Sequence, residues 1–141
     1  MSLAVRRSRS ADQLFIAELS WRVFAEYSPR PVVTDGVTLL VEAQGRPLGF
    51  VTIDTQRDGR AVVLAIAVAP EEQGRGVGRA LMRAAEHHAR ARGARVLQLC
   101  TAEANVAALD LFHKSGLSIV RRMPRYYSRG QNACLLAKRI R

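Results

Sequence analysis

The sequence contains only two cysteines, Cys100 and Cys134, among its 141 residues. They lie far apart, whereas disulfide frameworks and zinc sites use several cysteines at characteristic spacings. We therefore expect neither a disulfide nor a metal site. Both thiols are predicted to be free and buried.

Long apolar stretches are also missing. The longest, Ala61 to Pro70, is about half of the roughly 20 residues that a membrane-spanning helix needs, and its composition indicates a buried strand. No apolar stretch follows the arginines of the first ten residues, as a secretion signal would require. These features predict a cytoplasmic protein without a membrane partner, and the length predicts one domain over residues 1–141.

Acidic residues are scarce in the last part of the chain, so charge is uneven. The formal net charge is +10, and no acidic residue follows Asp110. Such a field attracts an anionic partner, namely a nucleotide cofactor, an acidic substrate or nucleic acid. A basic surface with no partner is the alternative. Nucleic acid is the weakest interpretation, because the sequence lacks a helix-turn-helix and the aromatic sheet motif of RNA-binding domains.

Apolar periodicity and turn residues predict alternating strands and helices. Ser10 and Gln13 have the spacing of a capping box, which predicts a helix to about Tyr27. Its predicted inner face is Leu14, Ala17, Trp21 and Phe24. The other predicted helices are Gly76–Arg92 and Asn105–Ser115, the latter with Val106 facing inward. The predicted strands are Ala4–Arg7, Val37–Ala43, Pro47–Gln56, the run from Ala61, Val96–Thr101, Leu117–Tyr127 and Ala133–Ile140.

One segment joins a strand to a helix through a glycine-rich loop, Gln73-Gly-Arg-Gly-Val-Gly-Arg79. Glycines let backbone amides approach a ligand, and the amides at a helix N-terminus carry partial positive charge, so the loop is typical of an anion site. Arg75 and Arg79 add side-chain charge. A Walker loop would end in Gly-Lys-Ser/Thr, and a dinucleotide fingerprint would read Gly-x-Gly-x-x-Gly, so neither fits.

This loop resembles the pyrophosphate loop of the GNAT family of N-acetyltransferases, whose pattern is Gln/Arg-x-x-Gly-x-Gly/Ala. The preceding Ile66-Ala-Val-Ala-Pro70 resembles that family's fourth strand, and the helix led by Asn105 resembles a later family helix. The tail from Arg125 to Ala133 resembles the branch that acetylates ribosomal-protein alanines and other protein N-termini. The resemblance spans about residues 37 to 140.

The resemblance implies an α/β fold, in which a mixed, mostly antiparallel sheet of about seven strands is flanked by about three to four helices. It also implies acetyl-CoA as co-substrate, with the pantetheine arm along one strand edge and the Val68 amide facing the thioester carbonyl. Asn105 would contact the pantetheine arm, cap its helix, or do both. The implied cofactor-binding residues are Ile66, Ala67, Val68, Gln73, Gly74, Arg75, Gly76, Val77, Gly78, Arg79, Asn105 and Phe112.

The catalytic positions depart from the family pattern. Relatives that acetylate protein N-termini often have Glu or His as base and Tyr as acid at positions that correspond to Cys100 and Phe112. A neutral thiol is a poor base, and phenylalanine has no proton to give. Tyr126 and Tyr127 are therefore the candidate catalytic residues, as acids. Packing against the sheet is the alternative role for both.

The resemblance implies direct attack of a neutral amine, without a covalent enzyme intermediate. At pH 7 about a tenth of α-amines are neutral, against about one in 2,500 lysine amines. A site without a strong base thus favours a protein or peptide N-terminus, or a small amino compound, as acceptor. A cofactor-binding domain without turnover is one alternative, and a basic nucleic-acid-binding module is another. The sequence leaves a homodimer open.

Overall fold

The computed structural model describes residues 2–24 and 36–141. Short 3-10 helices, Ser10–Asp12 and Pro70–Glu72, precede the first α-helix and follow the fourth strand. The described residues form seven strands and three α-helices, which are β1 (Ala4–Arg7), α1 (Gln13–Phe24), β2 (Val37–Ala43), β3 (Arg46–Thr55), β4 (Arg60–Val68), α2 (Val77–Ala91), β5 (Val96–Ala102), α3 (Val106–Lys114), β6 (Ser118–Met123) and β7 (Ala133–Arg139).

All these strands belong to one sheet, in the order β1-β2-β3-β4-β5-β7-β6. The pair β4–β5 is parallel, and each other neighbouring pair is antiparallel. One face packs against α1, and the larger core lies on the other face, with α2 and α3. This arrangement confirms the predicted mixed, mostly antiparallel sheet of about seven strands flanked by helices.

A bulge makes β4 change face along its length. The pairing with β3 shifts between Thr52 and Ile53. Thr52 pairs with Ala65 and Ile53 pairs with Val63, so Leu64 is the extra residue of the bulge. A bulge adds one residue to one strand and so exchanges the side chains that face each layer. Ala61 and Val63 pack with α2, whereas Ala65 and Ala67 pack with α1. Ile66 and Val68 beyond the bulge are half-buried against the α2 side of the core.

The strands β4 and β5 separate soon after they begin. They pair at Arg60–Val96, Ala61–Leu97 and Val62–Gln98, and the rest of β4 continues to pair with β3. A cleft therefore opens between β4 and β5 along the second half of β4. This cleft leads toward the glycine-rich loop that precedes α2.

The inner face of α1 differs from the predicted one. Leu14 and Trp21 are 69% and 65% exposed, and Ala17 is exposed as well. Apolar residues surround most of this helix, so periodicity alone does not select the buried side. The side chains that pack against the sheet are Phe15, Ile16, Leu19, Val23 and the correctly predicted Phe24.

Several element boundaries, one helix cap and one inward-facing residue also differ from the prediction. The Asp12 carboxylate, rather than Ser10, accepts a backbone amide at the helix start, from Arg9 at 2.7 Å. Residues 25–27 of the predicted helix lie outside the described residues. Val106 is 74% exposed rather than inward. The strand β6 ends at Met123, before the tyrosines that the prediction included in it.

Candidate functional site

A cavity of about 600 Å³ lies between the end of β4, the glycine-rich loop and the helices α2 and α3. We call it the α2–α3 cavity. Its lining comes from segments that are far apart in the sequence. That these segments bind a ligand stays a prediction. The predicted cofactor-binding residues among the lining are Ile66, Val68, Gln73, Gly74, Gly76, Gly78, Arg79, Asn105 and Phe112.

Two glycines give the loop its shape. Gly74 and Gly76 have φ angles of +80° and +83°, and a Cβ atom on either would meet nothing within 4 Å. These backbone conformations favour glycine, and the open space leaves room for a ligand beside the main chain. Within the part of the chain that the structure describes, the amides from Gly74 to Arg79 donate no hydrogen bond. Free amides at a helix N-terminus form an anion-binding surface.

Gly78 has a different structural reason. A Cβ atom there would lie 3.0 Å from Leu111 Cδ2, a side-chain atom of α3. A larger residue would therefore force the Leu111 side chain to move. The close approach of the two helices keeps the cavity narrow at this end.

The cavity lining contains two positive side chains together with the acidic Glu72 and Asp110. Arg79 and Lys114 are in the lining, and Lys114 also pairs with Asp110 at 3.0 Å. Arg75 points elsewhere: it contacts the buried carboxylate of Glu72 at 3.4 Å and lines a separate groove beside the β2–β3 turn. The structure thus brings one of the two loop arginines to the cavity.

Two further predicted residues are outside the cavity lining. Ala67 and Val77 are 3% and 1% exposed, respectively, and both side chains pack in the protein core. Any contact that they make with a ligand would have to use their backbone atoms.

The second half of β4 has one edge toward the cleft, and among the described strands none pairs with that edge. The amide of Ala69 donates to the carbonyl of Leu48, within β3, at 2.9 Å. Successive amides of an extended chain point to opposite edges. The Val68 amide therefore points away from β3, toward the side from which β5 has separated.

Asn105 and Phe112 come from α3. The Asn105 Oδ1 atom accepts the amide of Ala108 at 3.1 Å, which confirms the helix-cap role. The same residue lines the cavity, so its cap position is compatible with a ligand contact. Phe112 is 3% exposed and contributes an apolar wall.

The predicted catalytic tyrosines lie in the loop of residues 124–132 between β6 and β7, which we call the tyrosine loop. They are not part of the cavity lining among the described residues. Tyr126 is 55% exposed. Its ring is perpendicular to that of Tyr127, with centroids 5.1 Å apart. The structure gives the two phenols a shared location but leaves their catalytic role a prediction.

The thiols differ from the expectation that both are buried. Cys134 is buried, but Cys100 is exposed, because it lies near the end of β5 beyond the separation of β4 and β5. Partial burial still raises the pKa of the Cys100 thiol. The thiol is therefore neutral at pH 7 and a poor general base.

Sequence reasoning missed other parts of the cavity lining. Ala108 and Leu111 follow Asn105 at helical spacing, so the helix pattern could have identified them. Glu72 directly precedes the predicted loop. Val23, in contrast, comes from α1, and no local sequence signal connects it with this cavity.

Residues 2–24 and 36–141 contain neither a metal-ligand cluster nor a membrane-spanning helix. No group of three or more His, Cys, Asp or Glu side chains in these ranges could hold a metal ion. Among the described helices, none is long and apolar enough to cross a membrane.

Two curated relatives match part of the chain. The uncharacterised N-acetyltransferase MJ1207 of Methanocaldococcus jannaschii is 32% identical over 81 residues. The mycothiol acetyltransferase of Tsukamurella paurometabola is 39% identical over 79 residues. These matches cover 53% and 55% of this chain, and they cover 36% and 27% of the relatives' own lengths.

A solved structure has the same fold over the whole chain. The protein yncA from Salmonella typhimurium, solved with its cofactor acetyl-CoA, gives a TM-score of 0.87 at 20% identity. The comparison covers 100% of this chain and 95% of the other. Independently, residues 7–117 match the acetyltransferase (GNAT) family. This chain therefore belongs to the GNAT family of acetyltransferases and has its fold.

Proposed function

We propose that this chain is an N-acetyltransferase and that the α2–α3 cavity holds the pantetheine and pyrophosphate of acetyl-CoA. One observation carries the proposal: an open strand edge and a glycine loop with free amides meet in a single cavity. A strand edge pairs with amide groups such as those of pantetheine, and a helix N-terminus favours phosphate. The residues present therefore fit the cofactor.

Main-chain groups would do most of the binding. The amides between Gly74 and Arg79 would bind the pyrophosphate, and the Arg79 and Lys114 side chains would add positive charge. Hydrogen bonds to a charged group contribute about 1.5–3 kcal/mol each. Ile66 and Val68 would offer the β4 edge to the pantetheine. When bound, acetyl-CoA supplies a thioester, which is an acetyl group activated toward amines.

The Val68 amide is the proposed oxyanion donor. It points toward the cleft side of β4, as the hydrogen bond of the neighbouring Ala69 indicates. A fixed donor at the oxygen that gains negative charge stabilises the transition state, and loss of one such donor lowers rates by about 10²–10³-fold. Because the donor is a backbone group, it is in place before the amine attacks.

The acceptor is proposed to be an amine of low pKa. Burial raises the pKa of the Cys100 thiol, so it supplies no ready base at pH 7. The ion pair with Arg122, and a bond from Asn132, lower the pKa of Glu103, which weakens this carboxylate as a base. The amine must then arrive neutral, which favours an α-amine of a peptide, a protein or a small molecule. The basic C-terminal segment favours acidic residues beside that amine.

A matched pair of peptides tests the acceptor class. One peptide offers only a free α-amine, and the other offers only a lysine amine in the same sequence. Thiol release from acetyl-CoA should be faster with the first near pH 7, and the difference should narrow as pH rises and lysine deprotonates. Preferential lysine acetylation near pH 7 would contradict the proposed acceptor class and would indicate a strong base in the site.

A cofactor-binding domain without turnover is the second candidate. The observation that favours it is that Cys100 and Phe112 occupy the positions where relatives often have a base and an acid. A thermal-shift titration combined with a thiol-release assay distinguishes the two candidates. Stabilisation by acetyl-CoA without thiol release, across a broad panel of amines, would favour the non-catalytic domain.

A further inference from the structure

The carboxylate of Glu103 lies where three parts of the chain meet. Glu103 directly follows β5 and precedes α3. Its carboxylate accepts hydrogen bonds from both Nε and Nη2 of Arg122, the latter at 3.0 Å. The side-chain amide of Asn132 donates to the same carboxylate at 3.4 Å. Arg122 is near the end of β6, and Asn132 directly precedes β7, so one carboxylate joins both sides of the tyrosine loop.

Backbone hydrogen bonds strengthen the same junction. The Glu103 amide donates to the Asn132 carbonyl at 2.9 Å. The Asn132 Oδ1 atom accepts the amide of Arg125 at 3.1 Å. Arg125 has a φ angle of +53°, an uncommon conformation for a residue with a side chain. Asn132 therefore links Glu103 to the turn that directly precedes the two tyrosines.

The tyrosine loop also has hydrogen bonds of its own. The Tyr127 amide donates to the Gln131 carbonyl at 3.1 Å, and the Gly130 amide donates to the Tyr127 carbonyl at 2.9 Å. These bonds define the shape of the turn. Its location relative to the sheet depends on the groups that join it to β5, β6 and β7.

The turn between β5 and α3, which contains Glu103, also contains a residue that lines the α2–α3 cavity. The Asn105 amide donates to the Ala102 carbonyl at 3.0 Å, and Asn105 lines the cavity. Glu103 lies between these two residues in the chain. One short segment thus connects the cavity on one side with the tyrosine loop on the other.

We propose that Glu103 is a positioning residue, which fixes the tyrosine loop through Arg122 and Asn132 and thereby sets where the two phenols, the candidate proton donors, stand. The catalytic part of this inference rests on the proposed function. Misplacement of a reacting group by about 1 Å can lower a rate by about 100-fold, so a loop anchor affects turnover without touching the substrate.

A positioning role and a purely stabilising role predict different results. The Arg122 and Glu103 side chains are 57% and 37% exposed, and exposed ion pairs contribute little to global stability. Removal of the carboxylate should thus alter the local order of the tyrosine loop, while the melting temperature stays nearly unchanged. Asp58 provides a matched control, because its exposed carboxylate pairs with Arg60 at 2.7 Å in the β3–β4 turn, away from the site.

The test compares Glu103→Ala with Asp58→Ala in the full chain. In Glu103→Ala, the Tyr127 and Gly130 amides should exchange hydrogen about tenfold faster or more, because their turn loses the carboxylate that joins Arg122 to Asn132. The acetyl-CoA dissociation constant should stay within about twofold of wild type, since the cavity keeps its lining. On an acceptor that wild type acetylates, kcat should fall about tenfold. Asp58→Ala should leave exchange in the tyrosine loop and kcat unchanged.

A conservative variant separates charge from shape. Glu103→Gln keeps an oxygen acceptor, so it should recover part of the exchange protection and part of kcat relative to Glu103→Ala. Unchanged exchange in the tyrosine loop of Glu103→Ala would overturn the proposal. Faster exchange together with wild-type kcat would also overturn it, because the tyrosines would then not need the anchor. If wild type acetylates no acceptor, the proposed function fails, and the exchange result alone decides whether Glu103 fixes the loop.

Discussion

The α2–α3 cavity and the tyrosine loop are held in shape by different chemical groups. Backbone forms much of the cavity: two glycines of positive φ, helix amides that donate no hydrogen bond within the described residues, and a strand edge from which β5 has separated. The tyrosine loop takes its internal shape from backbone hydrogen bonds, but side chains, among them the carboxylate of Glu103 and the amide of Asn132, join it to the neighbouring strands. Backbone geometry leaves a recognisable glycine pattern in the sequence, whereas a network between distant side chains leaves no local pattern. The glycine loop of the first region was therefore recognisable in the sequence, and the anchor of the second was not.

The largest expected effect concerns the backbone-built region. Gly76→Glu would bring a carboxylate to the anion-binding amides, so acetyl-CoA affinity should fall by about 100-fold or more, the equivalent of about two charged hydrogen bonds. Isothermal titration calorimetry measures the loss. Gly93→Glu is the matched control, because Gly93 has a φ of +84° and equally open space but lies at the opposite end of α2. Equal loss of binding in both variants would mean that backbone strain, rather than the anion site, caused it.

An intermediate effect is expected from the side-chain-built region. Tyr126→Phe and Tyr127→Phe keep the aromatic rings but remove the phenolic hydroxyl groups. If these groups donate the proton, kcat should fall about tenfold in one single variant and up to about 100-fold in the double variant. The acetyl-CoA dissociation constant should stay nearly constant, since neither ring lines the cavity within the described residues. Steady-state kinetics and calorimetry check the two values. A double variant with wild-type kcat would leave the proton donor to water or another residue.

The smallest effect concerns the thiol beyond the cavity. The raised pKa of Cys100 means a smaller thiolate fraction at any given pH, and the thiolate is the reactive form. Iodoacetamide should therefore modify Cys100 more slowly than an unstructured cysteine peptide near neutral pH. The rate should rise as pH passes the ordinary thiol range. Mass spectrometry of the native protein follows the reaction, with buried Cys134 as an internal reference. Modification faster than in the peptide would identify an activated thiol and reopen Cys100 as a base.

Sequence patterns predicted most strands and the helix α2 because their apolar spacing is unambiguous. The weakest helix prediction was α1, where apolar residues on several sides left Leu14 and Trp21 as plausible as Leu19 for the inner face. The orientation of Arg75 was equally inaccessible, since it depends on the buried carboxylate of Glu72. Such outcomes are decided by packing and by charge pairs between elements. The sequence determines these outcomes, but no local pattern of residues in it reveals them.

The short pairing of β4 with β5 has a mechanical consequence. These two strands share three paired positions, whereas β5 and β7 share seven. The sheet therefore consists of two halves, β1-β2-β3-β4 and β5-β7-β6, which pair with each other over a short stretch. The chain segment that contains α2 connects β4 to β5 across this junction. Small rotations of one half relative to the other would widen or narrow the cleft while each half keeps its internal hydrogen bonds. A bulky group could thus enter the cleft at little cost to the rest of the fold.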